Sequence, residues 1–216
     1  RDGVAWVTGA ASGIGAAVAL ELARQGWTVA ITARRLDRLE AVARQAEGLA
    51  GRIVAHVGDV TDAEGQRRLV ETIETVHGPI ALAFLNAGIA PPRSGALVDA
   101  AGLAAAVEIN LLGTARSLAA VCAPMAERKR GRIAVNASLA GYGGRPGAAA
   151  YGASKAGLIN FCEALQPDLA RQGLVLQVVN PGYVETPLLG GRHGGRPFLM
   201  PAGEAARRIV AGFGSD

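Results

Sequence analysis

Tyr151 and Lys155 stand four residues apart in a stretch whose spacing predicts a helix from about Ala150 to Arg171. At that spacing two side chains share one face, about 5–6 Å apart at Cβ. A free tyrosine ionises near pH ~10 and is a poor base at neutral pH. A neighbouring ammonium favours the phenolate. Such a pair suits proton transfer to or from an oxygen while a hydride moves at the attached carbon. Tyr151 would be the acid/base, and Lys155 would tune it. Taken alone, a Y-x-x-x-K pair is more often a surface contact of little energy. Ser138 narrows the reading. It follows a predicted strand, Arg132 to Asn136, so it lies at a carboxyl end, where ligands bind in doubly wound sheets. Its hydroxyl can hydrogen-bond a substrate oxygen and stabilise developing charge.

A second chemical feature lies near the start of the chain. Thr8-Gly9-Ala10-Ala11-Ser12-Gly13-Ile14-Gly15 joins an apolar run, Gly3 to Thr8, to a helical stretch from about Gly13 to Gln25. Free N–H groups and the helix dipole attract a pyrophosphate at such a turn, and glycines let the backbone approach it. The spacing is G-x-x-x-G-x-G rather than G-x-G-x-x-G. A tight strand-to-helix turn with no ligand is the alternative.

The elements that must position these groups alternate regularly. Strands are predicted at Gly3 to Thr8, Thr28 to Thr32, Arg52 to Val57, Ile80 to Leu85, Arg132 to Asn136 and Leu174 to Val179. Between them lie helical stretches: Gly13 to Gln25, Leu36 to about Glu47, a third opened by the capping box Thr61-x-x-Glu64 and ending near His77, then Leu103 to Glu127 and Ala150 to Arg171. A short helix over Glu204 to Gly212 closes the chain. Strict alternation predicts an α/β fold, a Rossmann-like doubly wound parallel sheet of six visible strands with helices on both faces. Residues 1–216 read as one domain, with no linker, repeat or low-complexity tract. The long irregular stretch is Gly182 to Ala202, the length of a functional lid.

Composition limits the partners. The 216 residues carry a net charge of +4, almost all of the positive charge being arginine. The arginines are scattered and not interleaved with aromatics, so nucleic acid is not expected. The one dense run, Arg128-Lys129-Arg130, falls at a predicted helix end, where it suits the dipole. Cys122 and Cys162 make no disulfide framework, and a reducing, cytoplasmic setting is expected. His56, His77 and His193 show no ligand spacing, so no metal is expected. No run of about twenty apolar residues predicts a membrane span.

Several motifs in register resemble the short-chain dehydrogenase/reductase family, in its compact single-domain branch. They are the Thr8–Gly15 turn, Asn86-Ala87-Gly88, Asn110, Ser138, Tyr151-x-x-x-Lys155 and Pro181-Gly182, in the family's order over nearly the whole chain. The resemblance implies a nicotinamide cofactor cradled by Gly9, Ser12, Gly13, Ile14 and Gly15. Asp59-Val60 would meet its adenine, although Asp59 could equally be a turn and cap residue. Asn86-Ala87-Gly88 would line the adenosine ribose side. Lys155 would also hold the nicotinamide ribose. Asn110 would hold a water that relays protons to the lysine; the alternative is an amide that kinks or caps its helix. Pro181-Gly182 would lie against the nicotinamide, with Thr186 on its carboxamide and Val184 giving main-chain contacts. Residues 183–201 would be the substrate lid, whose Leu188, Leu189, Phe198 and Leu199 suggest an apolar pocket or packing on the core.

The end of the second strand discriminates between cofactors. An acidic residue there holds the 2′-OH of NAD. Here the position is Ala33, followed by Arg34 and Arg35. Arg34 can pair with a 2′-phosphate, so NADP is preferred over NAD; a solvated arginine pair is the alternative. The expected substrate is a carbonyl compound or secondary alcohol, and the expected assembly a homodimer or homotetramer. Two departures stand out. Pro167 interrupts the helix carrying Tyr151 and should kink or split it. The seventh strand usual in the family is not visible after the last helix. A sugar-nucleotide epimerase or dehydratase, and a non-catalytic dinucleotide-binding regulator, are the competing readings.

Overall fold

The computed structural model describes residues 3–92, 96–189 and 197–214. Six strands form one parallel sheet: β1 (Val4–Thr8), β2 (Thr28–Ala33), β3 (Arg52–Val57), β4 (Ile80–Leu85), β5 (Gly131–Asn136) and β6 (Leu174–Val179), in the order β3-β2-β1-β4-β5-β6. The chain order reverses between β1 and β4. That switch point opens a crevice at the carboxyl ends of the two strands, which places Gly9 and Asn86 at its mouth. Among the described residues no strand pairs with the outer edge of β6 in this sheet.

Every residue of β1 is buried, as expected of a strand covered on both faces. Its alternation divides the core. Val4 and Trp6 face one cluster, built with α3 (Ala63–His77), α5 (Gly113–Glu127) and α6 (Ala149–Arg171). Ala5 and Val7 face the other, built with α1 (Gly13–Arg24), α2 (Leu36–Arg44) and α7 (Ala202–Gly212). Trp6, one of the few aromatics, fills the first cluster while its Nε1 donates to Thr32 Oγ1 at 2.9 Å, so its one polar atom is satisfied in the core. The doubly wound architecture is thus the one the alternating pattern predicts.

Several boundaries and local features differ from the sequence reading. The third helix is not opened by a Thr61–Glu64 box. Asp62 is the N-cap, accepting from Gly65 N at 2.9 Å, while Thr61 donates through both N and Oγ1 to Asp59. Two oxygen-bearing side chains precede the helix, and the aspartate nearer to it takes the cap. The second helix stops at Arg44, short of Glu47. The long helical region begins earlier, as α4 (Ala100–Ala106), with Asp99 accepting from Gly102 N, and widens into a π turn over Val107–Leu112 before α5. By length and composition the helical run Ala100–Glu127 could cross a membrane. Here it packs on α3 and α6 and buries the polar Asn110, Thr114 and Ser117. Pro167 neither splits nor ends α6, which runs as one helix from Ala149 to Arg171; the preceding Gln166 ties it to β6 by donating to Leu176 O at 3.1 Å.

The stretch expected to be an irregular lid holds some structure. β7 (Val184–Glu185) pairs in parallel with β8 (Met200–Pro201), and Pro187–Leu189 forms a short 3₁₀ turn. The lid glycines Gly190, Gly191, Gly194 and Gly195, together with His193, lie outside the described residues. His56 and His77, far apart in sequence, meet with their Nε2 atoms 3.1 Å apart.

Candidate active site

The crevice is laced together by three strand ends. Thr8 Oγ1 accepts from Asn86 N at 2.9 Å and Ala87 N at 3.2 Å. Asn86 Nδ2 donates to Thr8 O and Gly9 O, both at 3.1 Å, and Asn86 Oδ1 accepts from Asn136 Nδ2 at 2.8 Å. The ends of β1, β4 and β5 are therefore held at fixed distances. Two glycines make this approach possible. Gly9 has φ +64°, and a Cβ there would stand 2.6 Å from Ala87 Cα. At Gly15 a Cβ would stand 2.5 Å from Asn86 Nδ2 and 2.6 Å from Gly9 O. Ser12 is the N-cap of α1 but makes no side-chain cap bond, and no acidic residue occupies the first turn. The helix start thus keeps its N–H groups for an anion.

Across the crevice, α6 begins just before Tyr151 and carries Lys155 one turn later. Lys155 is only 3% exposed. Its Nζ donates to Asn136 O at 2.7 Å and lies 5.9 Å from the centroid of the Tyr151 ring. Burial pushes its pKa down to about 8, opposed by the nearby Cys162 thiol. Tyr151 does not titrate as the sequence suggested. Burial raises its pKa, and the opposing influence is a hydrogen bond with Ser138, not the lysine charge. The reason is geometric: the ammonium is anchored to the backbone of β5, beneath the ring. Ser138 sits where β5 ends, with its Oγ accepting from Ala140 N at 3.1 Å at the head of a 3₁₀ turn, Leu139–Gly141.

Asn110 is fully buried in the π turn. Its Oδ1 accepts from Ile89 N at 2.7 Å, and its Nδ2 donates to Ile89 O and to Ser154 Oγ, both at 2.9 Å. Its main-chain oxygen accepts from Thr114 Oγ1 at 2.8 Å. The side chain clamps the segment leaving β4 against α6. Gly88 passes between Asn110 and Lys155: a Cβ there would lie 3.1 Å from Asn110 Oδ1 and 3.7 Å from Lys155 Nζ. A widened turn at a site-lining residue is a common use of π geometry.

A family model described as short chain dehydrogenase matches residues 3–194. This chain belongs to the short-chain dehydrogenase/reductase family. It is 35% identical over 209 residues to an uncharacterized oxidoreductase of Myxococcus xanthus, covering 97% of this chain and 83% of that one. It is 33% identical to the 3-oxoacyl-[acyl-carrier-protein] reductase FabG of Thermotoga maritima, over 86% of this chain and 75% of that one. Among solved structures it resembles an alcohol dehydrogenase of the archaeon Thermococcus sibiricus complexed with 5-hydroxy-NADP, with TM-score 0.87 and 26% identity over 98% of this chain and 90% of that one. It also resembles the actinorhodin polyketide ketoreductase with NADPH, with TM-score 0.87 and 30% identity over 99% of this chain and 91% of that one.

Arg34 is exposed at the end of β2 and makes no ion pair among the described residues. Asp59 is engaged as a turn residue: both Thr61 groups bond its Oδ1, holding its carboxyl below the usual range, with Arg34 adding to the effect. Val60 is buried against the π turn; a Cβ at Gly113 would meet its Cγ2 at 2.7 Å. Thr186 lies over the glycine turn, where a Cβ at Gly13 would stand 3.1 Å from its Cγ2. Pro181 O accepts from Leu139 N at 3.1 Å, so the segments following β5 and β6 run side by side. Val184 is buried on β7, while Leu188 and Phe198 are exposed, not packed on the core; Leu189 and Leu199 are half-buried. Sequence reasoning missed Asn136. A polar residue inside a buried strand was the available signal, and it joins Asn86 to Lys155 while its Oδ1 stays buried without a partner.

Proposed function

We propose that this chain is an NADP(H)-dependent carbonyl reductase or alcohol dehydrogenase acting on a ketone, an aldehyde or a secondary alcohol. The observation that carries this reading is the buried Lys155, held at 2.7 Å from Asn136 O beneath the Tyr151 ring, with the Ser138 hydroxyl opposing the burial-driven rise of the Tyr151 pKa. A structural lysine has no reason to be taken out of water next to a buried phenol, because desolvation costs stability.

When bound, the nicotinamide supplies or accepts the hydride at the carbonyl carbon. In reduction Tyr151 gives its phenolic proton to the carbonyl oxygen, and Ser138 donates a hydrogen bond to the same oxygen as charge builds there. In oxidation the proton runs the other way. The Lys155 ammonium, beside the Tyr151 ring, holds the nicotinamide ribose, and Ser138 favours the phenolate left on Tyr151. Asn110 keeps the Asn86–Gly88 segment in place and serves the proton relay. Gly9, Ser12, Gly13, Ile14 and Gly15 receive the pyrophosphate. Arg34 pairs with the 2′-phosphate, Val60 and Asp59 border the adenine, and Asn86, Ala87 and Gly88 border its ribose. Pro181 and Gly182 back the nicotinamide ring, with Val184 and Thr186 on its carboxamide. A homodimer or homotetramer is part of this reading, checked by light scattering.

The test is direct. Purified protein is mixed with NADPH or NADH and a panel of ketones and aldehydes, and the nicotinamide absorbance is followed. Turnover with NADPH preferred is expected; binding of neither cofactor would overturn the reading.

A further inference from the structure

The two segments that frame the acid/base centre are cross-linked at their rim, and the link leaves one cation unanswered. Arg145 lies between Ser138 and Tyr151, in a turn closed by Ala148 N donating to Arg145 O at 3.1 Å, immediately before α6. Its Nη1 donates to the Tyr183 hydroxyl at 2.7 Å, and its guanidinium carbon stands 5.4 Å from the centroid of that ring. Tyr183 follows Pro181-Gly182, on the segment expected to back the nicotinamide. A second tie runs parallel: Asn180 Nδ2 donates to the Tyr142 hydroxyl at 3.0 Å.

Arg24, Arg67, Arg116, Arg128 and Arg208 each pair with a glutamate. Arg145 does not: among the described residues no carboxylate pairs with it, Glu185 on β7 included. From Asn136 to Cys162 the chain has no Asp or Glu at all. A phenol is a neutral acceptor, so it orients the guanidinium without discharging it. The ring face adds a weak attraction that fixes the fork further. A planar fork held in advance, at the edge of a site and with its charge unneutralised, is what recognition of a carboxylate or phosphate requires. The two tied segments also carry exposed apolar side chains: Leu139 and Tyr142 before Arg145 in the chain, and Leu188 after Tyr183, are all more than half exposed.

We propose that Arg145 is a specificity residue: it binds an anionic group, carboxylate or phosphate, at the far end of a carbonyl substrate whose body lies on Leu139, Tyr142 and Leu188. This rests on the reductase reading above. Tyr183 acts as the positioning residue that aims the guanidinium.

The experiment uses the NADPH-loaded protein and matched substrates: an oxo-carboxylic acid, its neutral methyl ester, and a ketone carrying a phosphate ester. The wild type is expected to favour the anions over the ester by at least about tenfold in kcat/KM, mostly through KM, with the preference shrinking as salt rises. The ranking of the two anions says which group the site takes. Arg145→Gln is expected to raise KM for the preferred anion by about ten- to a hundredfold while changing kcat far less, so that the acid and ester converge. Tyr183→Phe is expected to give a smaller rise in the same direction. Equal kcat/KM for anions and ester in the wild type, or an anion preference that survives Arg145→Gln, would overturn the proposal and leave the reductase reading standing. If no member of the panel is reduced, both readings fall.

Discussion

The turn from Thr8 to Gly15 presents backbone to the crevice, whereas Ser138, Tyr151 and Lys155 present side chains. The first is local, an unbroken run of eight residues whose shape depends on having no Cβ at Gly9 and Gly15. Its N–H groups are aimed by the strand and helix that flank it. The second joins β5 to α6 and stabilises nothing by itself. Taking Lys155 from its ordinary pKa of 10.5 down to about 8 represents about 3 kcal/mol of burial cost at neutral pH. A binding surface can thus be made of backbone whose N–H groups a helix start leaves open. An acid/base centre keeps groups in states that the rest of the fold must hold in place.

The sharpest test of this contrast separates chemistry from binding. Tyr151→Phe is expected to lower kcat by about 10²–10⁴ while the NADPH dissociation constant, read by cofactor fluorescence, moves less than about threefold. Comparable losses in both would erase the distinction. Gly9→Ala should do the reverse kind of damage. Its Cβ would overlap Ala87 Cα, and its φ of +64° strains any other residue, so a loss of about 1–3 kcal/mol of stability is expected together with cofactor affinity. A variant as stable as wild type in urea, with normal affinity, would show that the turn tolerates a side chain.

Lys155→Met should abolish turnover yet stabilise the fold by about 1–2 kcal/mol at pH 7, less than the full burial cost because Asn136 O loses its donor. The sign follows from linkage. Between about 8 and 10.5 this lysine binds more protons in the unfolded chain than in the folded one, so its contribution to wild-type stability rises with pH across that window. Below about 8 both states are protonated and the burial cost is constant. Denaturation midpoints from pH 7 to about 9 should therefore rise in the wild type and stay flat in Lys155→Met; above about 9 burial of the Cys122 and Cys162 thiols, which pushes them up to about 11 and about 12, lowers stability in both proteins. The rate of carbonyl reduction should fall as pH climbs through about 8, where the ammonium is lost. Smallest of all, Arg34→Ala should weaken NADPH by about tenfold and NADH far less, since only a phosphate contact is removed.

The legibility of these parts differs for physical reasons. β3, β4 and β6 occupy the residues predicted for them: β4 is buried at nearly every position and leaves an unmixed apolar run, while the edge strands β3 and β6, half-buried at most positions, are marked by their β-branched residues. The residues alone point to Thr61 where the helix is capped by Asp62, because two neighbouring oxygen-bearing side chains compete for one helix start and only the turn at Asp59 decides between them. Pro167 looked like a break, yet the helix continues through it, its neighbour Gln166 tied to β6. The grouping of Ser138, Tyr151 and Lys155 was readable from spacing and order. The source of the Tyr151 shift was not, since it depends on how deeply each group is buried and on which atom the ammonium bonds.

By itself the sequence determined the alternation of strands and helices, the position of the glycine turn, and the family. Each of these is written in residue type at short range, as periodicity, glycine placement or motif order. Only the tertiary structure decided that Asn110 is a clamp, that Asn136 bridges Asn86 to Lys155, and that Arg145 meets Tyr183. Those contacts join segments 19 to 50 residues apart, and a hydrogen bond at that separation exists only once the sheet has brought the strand ends together.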